Sequence, residues 1–256
     1  MTKAVLTLSN LRYQWPGSVR PVLDIAQLDI GQGSRIFLHG PSGCGKSTLL
    51  GLMAGVLIPT TGEVCLLGQP WQSLKASQRD RFRADHVGYI FQQFNLVPYL
   101  SALQNVQAPC YFSAHRKKAA SREGGSPQVS AQALLQAMGL TPSDTEKPAG
   151  TLSVGQQQRV AAARALIGHP ELIIADEPTS ALDDATTDTF MQHLLNAAAL
   201  SHSAVVFVSH NQHLARYFDR HVFLPDINQA SPPETAIRAD LPGLAEPPSS
   251  LPGARP

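Results

Sequence analysis

The chain has 256 residues, of which 43% are hydrophobic and 15% are charged, and its formal net charge is +1. This length suits one sizeable α/β domain or two small ones. The near-neutral charge disfavours DNA or RNA as the main partner, because nucleic-acid-binding domains usually carry a marked excess of Lys and Arg. Three cysteines without C-x-x-C spacing argue against a disulfide framework or a structural zinc site.

No segment of the sequence predicts membrane insertion. The first residues, MTKAVLTLSNL, contain no basic stretch followed by a long apolar one, so we predict no secretory signal. The longest nearly unbroken apolar run, residues 49–58, is much shorter than the roughly 20 residues that span a bilayer. We therefore expect that another chain supplies the channel if this chain works at a membrane.

Short runs rich in Val, Ile and Leu alternate with longer stretches rich in Ala and Leu. Nearly all-apolar strands that are separated by helices predict a mainly parallel sheet covered on both faces, and hence an α/β fold. The predicted strands lie at residues 5–8, 35–38, 87–91, 172–175 and 204–208, and helical stretches lie at residues 155–167 and 182–199.

Two segments differ from this pattern. Residues 95–150 contain one helical pattern (residues 129–138), a polar basic stretch (residues 115–128) and frequent Pro, Gly and Ser, so we interpret them as a mainly helical inserted subdomain. Eight of the 20 prolines fall in the last 32 residues. This composition predicts an extended or disordered tail.

A glycine-rich loop follows the predicted strand at residues 35–38 and precedes a plausible helix. It fits the pattern G-x-x-x-x-G-K-[ST] completely, and its backbone N–H groups are expected to surround a phosphate. The lysine is expected to reach the β- and γ-phosphates, and the serine hydroxyl to ligate Mg²⁺. The loop consists of Gly40, Pro41, Ser42, Gly43, Cys44, Gly45, Lys46 and Ser47, and Thr48 follows it.

The apolar run at residues 172–175 ends in two carboxylates, Asp176 and Glu177. A buried strand that stops at paired acids places them at the carboxyl end of a sheet, where α/β proteins bind ligands. We expect Asp176 to hold Mg²⁺ and Glu177 to orient and deprotonate the attacking water. On its own this pattern is weak, since Asp-Glu-Pro also forms ordinary turns.

The sequence LSVGQ at residues 152–156, followed by QQRV, resembles the signature motif of the ABC ATPase superfamily, which usually reads LSGGQ. Further motifs of that family follow the same order along the chain. Tyr13 resembles the aromatic residue that stacks on adenine, with Trp15 as the alternative, and Gln92 resembles the glutamine of the Q-loop, a Mg²⁺ sensor. Asp183 resembles the aspartate of the D-loop, and His210 lies where that family has its switch histidine.

The resemblance implies an ATP-hydrolysing domain that pairs head to tail as a homodimer, with each ATP between the P-loop of one copy and the signature of the other. Ser153, Gly155 and Gln156 of the signature are then expected to bind ATP across the interface, and Asp183 to couple the two sites. His210 is expected to contact the γ-phosphate. The implied fold is a P-loop NTPase (RecA-like) core with an N-terminal antiparallel β part and a helical subdomain. Its expected bounds are 1–225 for the ATPase domain, with the core at about 1–92 and 155–225, the helical subdomain at about 93–154 and the tail at 226–256.

Two positions depart from the family pattern. Val154 replaces the first glycine of the signature. A β-branched residue rarely adopts positive φ, so we expect an extended or helical backbone at Val154 and retained activity. Residues 223–227, FLPDI, lack the turn glycine of the usual final hairpin, so we expect that hairpin to be altered or absent.

The sequence QQFNLVP at residues 92–98, followed by ALQNV at residues 102–106, is most similar to the branch of the family that contains lipoprotein-release, macrolide-export and cell-division ATPases. The apolar residues 94–100 are expected to dock a helix of an integral membrane permease, which would place the chain peripherally on the cytoplasmic side of the inner membrane. Two alternatives stay open: an ATPase that relays force to cell-envelope enzymes without transport, and a soluble ABC ATPase outside transport. A P-loop kinase is disfavoured because kinases need no signature motif.

Overall fold

A computed structural model of the chain describes residues 4–180 and 182–230, which form two β-sheets and the helices around them. The first sheet is antiparallel, as the family resemblance implied. Its order is β2-β1-β4-β5, where β1 is Ala4–Tyr13, β2 is Leu23–Gly31, β4 is Thr61–Leu66 and β5 is Gln69–Pro70.

The second sheet is parallel throughout, which confirms the parallel α/β core that the sequence predicted. Every paired strand in it runs in the same direction. Its order is β6-β7-β8-β3-β9, where β3 is Arg35–His39, β6 is Val87–Ile90, β7 is Leu172–Asp176, β8 is Ala204–Val208 and β9 is Arg220–Phe223.

Both faces of the parallel sheet are buried. Successive side chains of a strand point to opposite faces, and a hydrophobic core lies on each face. On β7, Leu172 and Ile174 pack toward the antiparallel sheet and the first helix, whereas Ile173 and Ala175 pack toward the helices on the other face. The apolar runs of the sequence therefore belong to two hydrophobic cores that share one sheet.

The helices cover these cores and connect the strands. Within the described residues, 3-10 helix occurs in three places, at Trp71–Ser73, Ala149–Thr151 and Gln212–Tyr217. The α-helices are α1 (Lys46–Met53), α2 (Ala76–His86), α3 (Ala102–Phe112), α4 (Ala114–Gly124), α5 (Pro127–Ala137), α6 (Pro142–Thr145), α7 (Val154–Leu166), α8 (Asp184–Leu200) and α9 (Leu224–Ile227).

Residues 95–150 are more helical than their sequence pattern indicated. The polar basic stretch forms most of α4, which Ser113 caps by accepting a hydrogen bond from the backbone N–H of Arg116 at 2.9 Å. α3 precedes it and contains Pro109 in its interior. Sequence reasoning missed both helices because α4 is polar on most of its surface and α3 contains a proline.

The end of the described chain has no hairpin turn after β9. Phe223 leads directly into α9, as the missing turn glycine led us to expect. The predicted tail, 226–256, begins too early, because residues 226 and 227 belong to α9 and residues 228–230 lie against β2. Asn228 donates to the carbonyl of Val22 at 3.0 Å and accepts from the N–H of Asp24 at 2.8 Å. Residues 231–256 of the predicted tail lie outside the described residues.

Across residues 4–180 and 182–230, no helix is long and apolar enough to span a bilayer.

The helical region is joined to the sheet by a buried arginine. Arg116 of α4 is only 2% exposed, and burial lowers its pKa to about 10. Its guanidinium donates hydrogen bonds to the carbonyl oxygens of Val87 at 2.6 Å, Ala165 at 3.3 Å and Ile167 at 3.4 Å. One side chain thus links α4 to β6 and to the end of α7.

We predict that Arg116→Met lowers the free energy of unfolding by about 2–4 kcal/mol, because it leaves three buried carbonyl groups without their charged donor. Urea unfolding of the nucleotide-free protein measures this change. The matched control is Lys117→Met, an exposed position on the same helix, where we expect a change within about 0.5 kcal/mol. Equal stability of the two variants would contradict the role of Arg116.

Candidate functional site

The P-loop connects the end of β3 to the first residue of α1. Gly45 precedes the helix with φ 104°, a conformation that favours glycine. A Cβ at this position would lie 2.9 Å from Cδ2 of Leu23, so a larger residue would push the loop away from β2. The local sequence therefore sets the sharp turn that aims the amino end of α1 at the loop.

Lys46 lies across the P-loop. Its Nζ donates hydrogen bonds to the carbonyl oxygens of Gly40 at 2.9 Å and Pro41 at 3.0 Å, and the residue is 8% exposed. Ser47, the next residue, is exposed in the first turn of α1. The loop thus combines a fixed positive charge, an accessible hydroxyl and a helix N-terminus, which together suit a polyphosphate. Of the other predicted loop residues, Pro41, Ser42 and Gly43 are exposed, while Cys44 and Thr48 are partly buried.

The two acids lie at the carboxyl end of β7. Burial raises the pKa of Asp176, and the neighbouring Glu177 raises it further, whereas the positive charge of Lys46 lowers it. α1, which begins at Lys46, packs against β7, which ends at Asp176, so the P-loop and the acidic strand end lie close together. An opposed cation and carboxylate are the pair that Mg²⁺-nucleotide sites use.

Glu177 is paired with His210. Its Oε1 lies 2.8 Å from Nε2 of His210, and its backbone N–H donates to the carbonyl oxygen of Val208 at 3.0 Å. Glu177 has φ 46°, an unusual value for a residue with a side chain, and such strained positions cluster at functional sites. Half of the His210 side chain is exposed. The structure therefore brings together the two residues that the sequence analysis predicted to be catalytic.

Gln92 follows β6, which pairs with β7 through Ile90 and Ala175. It is exposed, at the same edge of the sheet as Asp176.

Tyr13 lies at the end of β1 and is 6% exposed, and its ring packs edge-to-face on Trp15, with 5.1 Å between ring centroids. Trp15 is 44% exposed. Tyr13 stays the predicted adenine platform, and the alternative, Trp15, has the more accessible ring.

The signature begins α7. Ser153 is the N-cap: its Oγ accepts from the N–H of Gln156 at 3.3 Å, and the Gln156 side chain accepts from the N–H of Ser153 at 2.9 Å. Val154 is the first helical residue, so the helical conformation expected for it is the one observed. The capping box satisfies two backbone N–H groups, and Ser153 and Val154 are exposed, so the helix N-terminus, where an anion is favoured, faces solvent.

Asp183 lies next to the signature rather than next to the P-loop. It caps α8 by accepting from the N–H of Thr186 at 2.9 Å and from its hydroxyl at 3.0 Å, and these hydrogen bonds lower the pKa of Asp183. A Cβ on Gly155 would lie 3.7 Å from Leu182, which precedes Asp183. In the part of the chain that the structure describes, no hydrogen bond or ion pair joins the signature to the P-loop. α1 packs in one hydrophobic core and α7 in the other, on opposite faces of the parallel sheet, so the predicted site residues form two groups, one around the P-loop and one around the signature.

The sequence pattern of the ABC transporter family matches residues 23–180, which contain the P-loop, the signature and the acidic pair. The chain belongs to the ABC transporter family. Among similar members of this family is the ABC transporter ATP-binding protein YbbA of Escherichia coli K12, which is 41% identical over 199 residues, 78% of this chain and 84% of that protein. The lipoprotein-releasing system ATP-binding protein LolD of Legionella pneumophila (strain Lens) is 37% identical over 222 residues, 86% of this chain and 94% of that protein.

Solved structures of ABC cassettes have the same fold. The dimeric structure of MJ0796, a bacterial ABC transporter cassette, is 33% identical, has a TM-score of 0.72 and covers 85% of this chain and 93% of its own. A post-hydrolysis state of that cassette with ADP and Pi has the same identity and TM-score, and it covers 89% of this chain and 98% of its own. This member of the ABC family is therefore an ATP-binding ATPase with a P-loop fold.

Sequence reasoning missed one residue that positions this ABC site. Arg164, in the last turn of α7, donates hydrogen bonds to the carbonyl oxygens of Phe94 at 2.5 Å and Asn95 at 2.6 Å, and burial lowers its pKa. Both carbonyls belong to residues with positive φ in the loop after Gln92. No local pattern marks Arg164, because its partners lie about 70 residues earlier in the chain.

We predict that Glu177→Gln lowers ATP hydrolysis at least about 100-fold, because an amide cannot accept the proton of the attacking water. ATP affinity is expected to stay unchanged, since Lys46 and the P-loop amides are intact. Phosphate release and nucleotide binding measure the two effects separately. The control is Glu63→Gln, an exposed position on β4, with wild-type turnover expected. Wild-type hydrolysis by Glu177→Gln would remove Glu177 from the catalytic role.

Proposed function

We propose that this ATPase works as a head-to-tail homodimer in which each ATP lies between the P-loop of one copy and the signature of the other. The observation that carries this proposal is the separation of the predicted ATP contacts into two groups within one chain. The N-terminus of α7 at Ser153 and the exposed P-loop have complementary roles toward a phosphate. The similar cassette MJ0796 was solved as a dimer, which supports the arrangement.

We infer that ATP binds with Mg²⁺. The residues present suit this ion, since the Ser47 hydroxyl, the Asp176 carboxylate and the Gln92 amide oxygen are the hard oxygen ligands that it prefers. Asp176 ends the strand against which α1 packs, so a cation there would be balanced by the carboxylate and by the nucleotide phosphates. When bound, Mg²⁺ supplies charge neutralisation at the β- and γ-phosphates.

The remaining chemistry is assigned to side chains of this chain. Lys46 binds the β- and γ-phosphates and Glu177 accepts a proton from the attacking water, which is held in line with the γ-phosphate. His210, 2.8 Å from Glu177, orients that carboxylate and is placed to contact the γ-phosphate. Ser153 and the Gly155 N–H of the second copy complete the γ-phosphate contacts, so hydrolysis requires the closed dimer.

We propose that an exposed aromatic groove beside the loop after Gln92 docks a membrane permease, in place of the predicted run 94–100, whose first residue, Phe94, is buried. Phe112 is 80% exposed and Tyr111 is 76% exposed, both at the end of α3. Contiguous exposed apolar surface of this kind marks an interaction site. The groove is lined by Tyr89, Phe91, Asn95, Pro109, Phe112 and Arg164.

Arg164 connects this docking groove to the ATP site. It lies in the helix that begins at the signature, and it holds the loop that follows Gln92. A permease helix in the groove would therefore contact the element that moves with the signature. We propose that the chain lies peripherally on the cytoplasmic side of the inner membrane and drives export or the extrusion of a lipid or lipoprotein. The LolD relatives, whose name describes lipoprotein release, support this branch.

We expect the Glu177→Gln variant, purified from native membranes with Mg-ATP, to retain an integral membrane permease, because the ATP-bound dimer accumulates. The control carries Phe91→Ser and Phe112→Ser in addition. These two changes remove apolar surface from the groove and leave the P-loop untouched, so we expect ATP binding without the permease. Mass spectrometry identifies the partners in both samples.

The identity of the partner decides among the functional alternatives. A permease with few membrane spans and a large external domain supports export or extrusion. The same permease bound to cell-envelope enzymes, without a substrate, supports the relay of force to those enzymes. Recovery of soluble or nucleic-acid partners alone would contradict the transporter function and leave the ATPase assignment in place.

A further inference from the structure

A second cluster of ligand-type side chains lies away from the ATP site. It consists of His86 at the end of α2, His115 at the start of α4 and Glu171, the residue before β7. Nδ1 of His86 is 2.8 Å from Oε2 of Glu171, and the rings of the two histidines have centroids 5.0 Å apart. One ligand atom from each of the three residues lies within 4.8 Å of the other two.

This cluster is separate from the ATP site because it lies at the opposite end of the sheet. Glu171 precedes the amino end of β7, whereas Asp176 is at its carboxyl end. Five residues of strand correspond to roughly 16 Å at about 3.3 Å per residue. None of the residues assigned to ATP or Mg²⁺ belongs to the cluster.

We propose that His86, His115 and Glu171 form a Zn²⁺-binding site. Two imidazoles and one carboxylate are a donor set that zinc accepts, with a fourth position left for water. Mg²⁺ and Ca²⁺ prefer oxygen ligands alone, so this set distinguishes zinc from the ion of the ATP site.

The geometry needs only small adjustments to bind the ion. Ligand atoms about 2.0–2.1 Å from a tetrahedral zinc ion are about 3.3 Å from one another. The Nδ1–Oε2 separation of 2.8 Å must therefore lengthen by about 0.5 Å. His115 is exposed, so its side chain is free to move toward the other two ligands. Zinc takes the place of a proton on Nδ1 of His86; that proton moves to Nε2 if the imidazole is neutral and is released to solvent if it is an imidazolium.

The charges around the cluster accommodate a cation. Glu171 supplies the carboxylate of the cluster, and its side chain is 29% exposed. Arg116, a nearby cation, interacts electrostatically with Glu171 and with Asp85. Its guanidinium is directed to backbone carbonyl groups rather than to the two histidines.

A bound ion would link three elements at one point. α2, α4 and the start of β7 each supply one ligand, so zinc would join the helical region to the sheet beside the Arg116 hydrogen bonds. Ligands that bind only the folded state raise its stability. At 100-fold excess of free Zn²⁺ over the Kd, we expect the Tm to rise by about 5–10 °C.

Calorimetric titration of the nucleotide-free full chain with ZnCl₂ tests the site. We expect one high-affinity Zn²⁺ per chain in the wild type. Substitution of a residue that only hydrogen-bonds to a metal ligand typically lowers metal affinity 10–100-fold. The loss of a ligand itself should have a larger effect, so we expect His115→Ala and Glu171→Gln each to weaken Zn²⁺ binding at least about 100-fold. His115 is exposed, and we expect His115→Ala to melt like the wild type when no zinc is present.

Two control variants locate the ion. His202→Asn replaces an exposed histidine outside the cluster. Asparagine tolerates the positive φ of 52° that the backbone has at this position. His210→Ala changes the proposed ATP site. Both are expected to bind zinc like the wild type. The absence of zinc binding in the wild type, unchanged affinity in His115→Ala and Glu171→Gln, or a loss confined to His210→Ala would each overturn the proposal.

Discussion

The P-loop, the acidic pair and His210 depend on one constraint, which is that β3, β7 and β8 are neighbours running in the same direction. The carboxyl ends of parallel neighbours meet at one edge, where ligands bind in open α/β sheets. Segments more than 130 residues apart in sequence therefore converge on one phosphate site. Each of these three strands buries alternate side chains in the two hydrophobic cores, so all three lie in the interior of the domain.

The second group of predicted contacts depends on α7. This helix begins at the Ser153 cap and ends in a turn from which Arg164 reaches the loop after Gln92. One rigid element thus joins the signature to the exposed aromatic groove. Under the proposed function, this connection explains how a change at the γ-phosphate is transmitted to a permease. Arg116 fixes the other side of the helical region to β6 and α7.

Features with a local signal were predictable from the sequence. The P-loop follows a strand within a few residues, so its pattern and its context are read together. Four strands of the parallel sheet, β3, β6, β7 and β8, were predicted at the observed places, whereas β9 was not predicted and the strand predicted at residues 5–8 belongs to the antiparallel sheet. The missing hairpin was predictable for the same reason, because it depends on one turn residue. The structure also places Glu177 beside His210, although their roles stay predictions.

Features that depend on distant parts of the chain were not predictable. Helix α4 is polar on most of its surface and α3 contains Pro109, so neither was predicted; α3 packs against α7, and α4 packs against α3 and α5. Arg164 finds its partners about 70 residues away. The cluster of His86, His115 and Glu171 has no sequence spacing that indicates a metal, since folding alone brings the three together. The burial of Tyr13 beneath Trp15 is likewise a property of the folded state.

The central claim is that a second copy of the chain completes each ATP site, and a complementation experiment tests it most directly. One variant carries Gly155→Glu, which places a negative charge in the signature, and the other carries Glu177→Gln; each is expected to be inactive alone. Mixed dimers contain one site with both an intact signature and an intact Glu177, so the account predicts that ATP hydrolysis returns on mixing, at about a quarter of the wild-type rate for random pairing of two-site dimers. A mixture as inactive as its components would contradict the account, because it would place both groups of residues in a site formed within one chain.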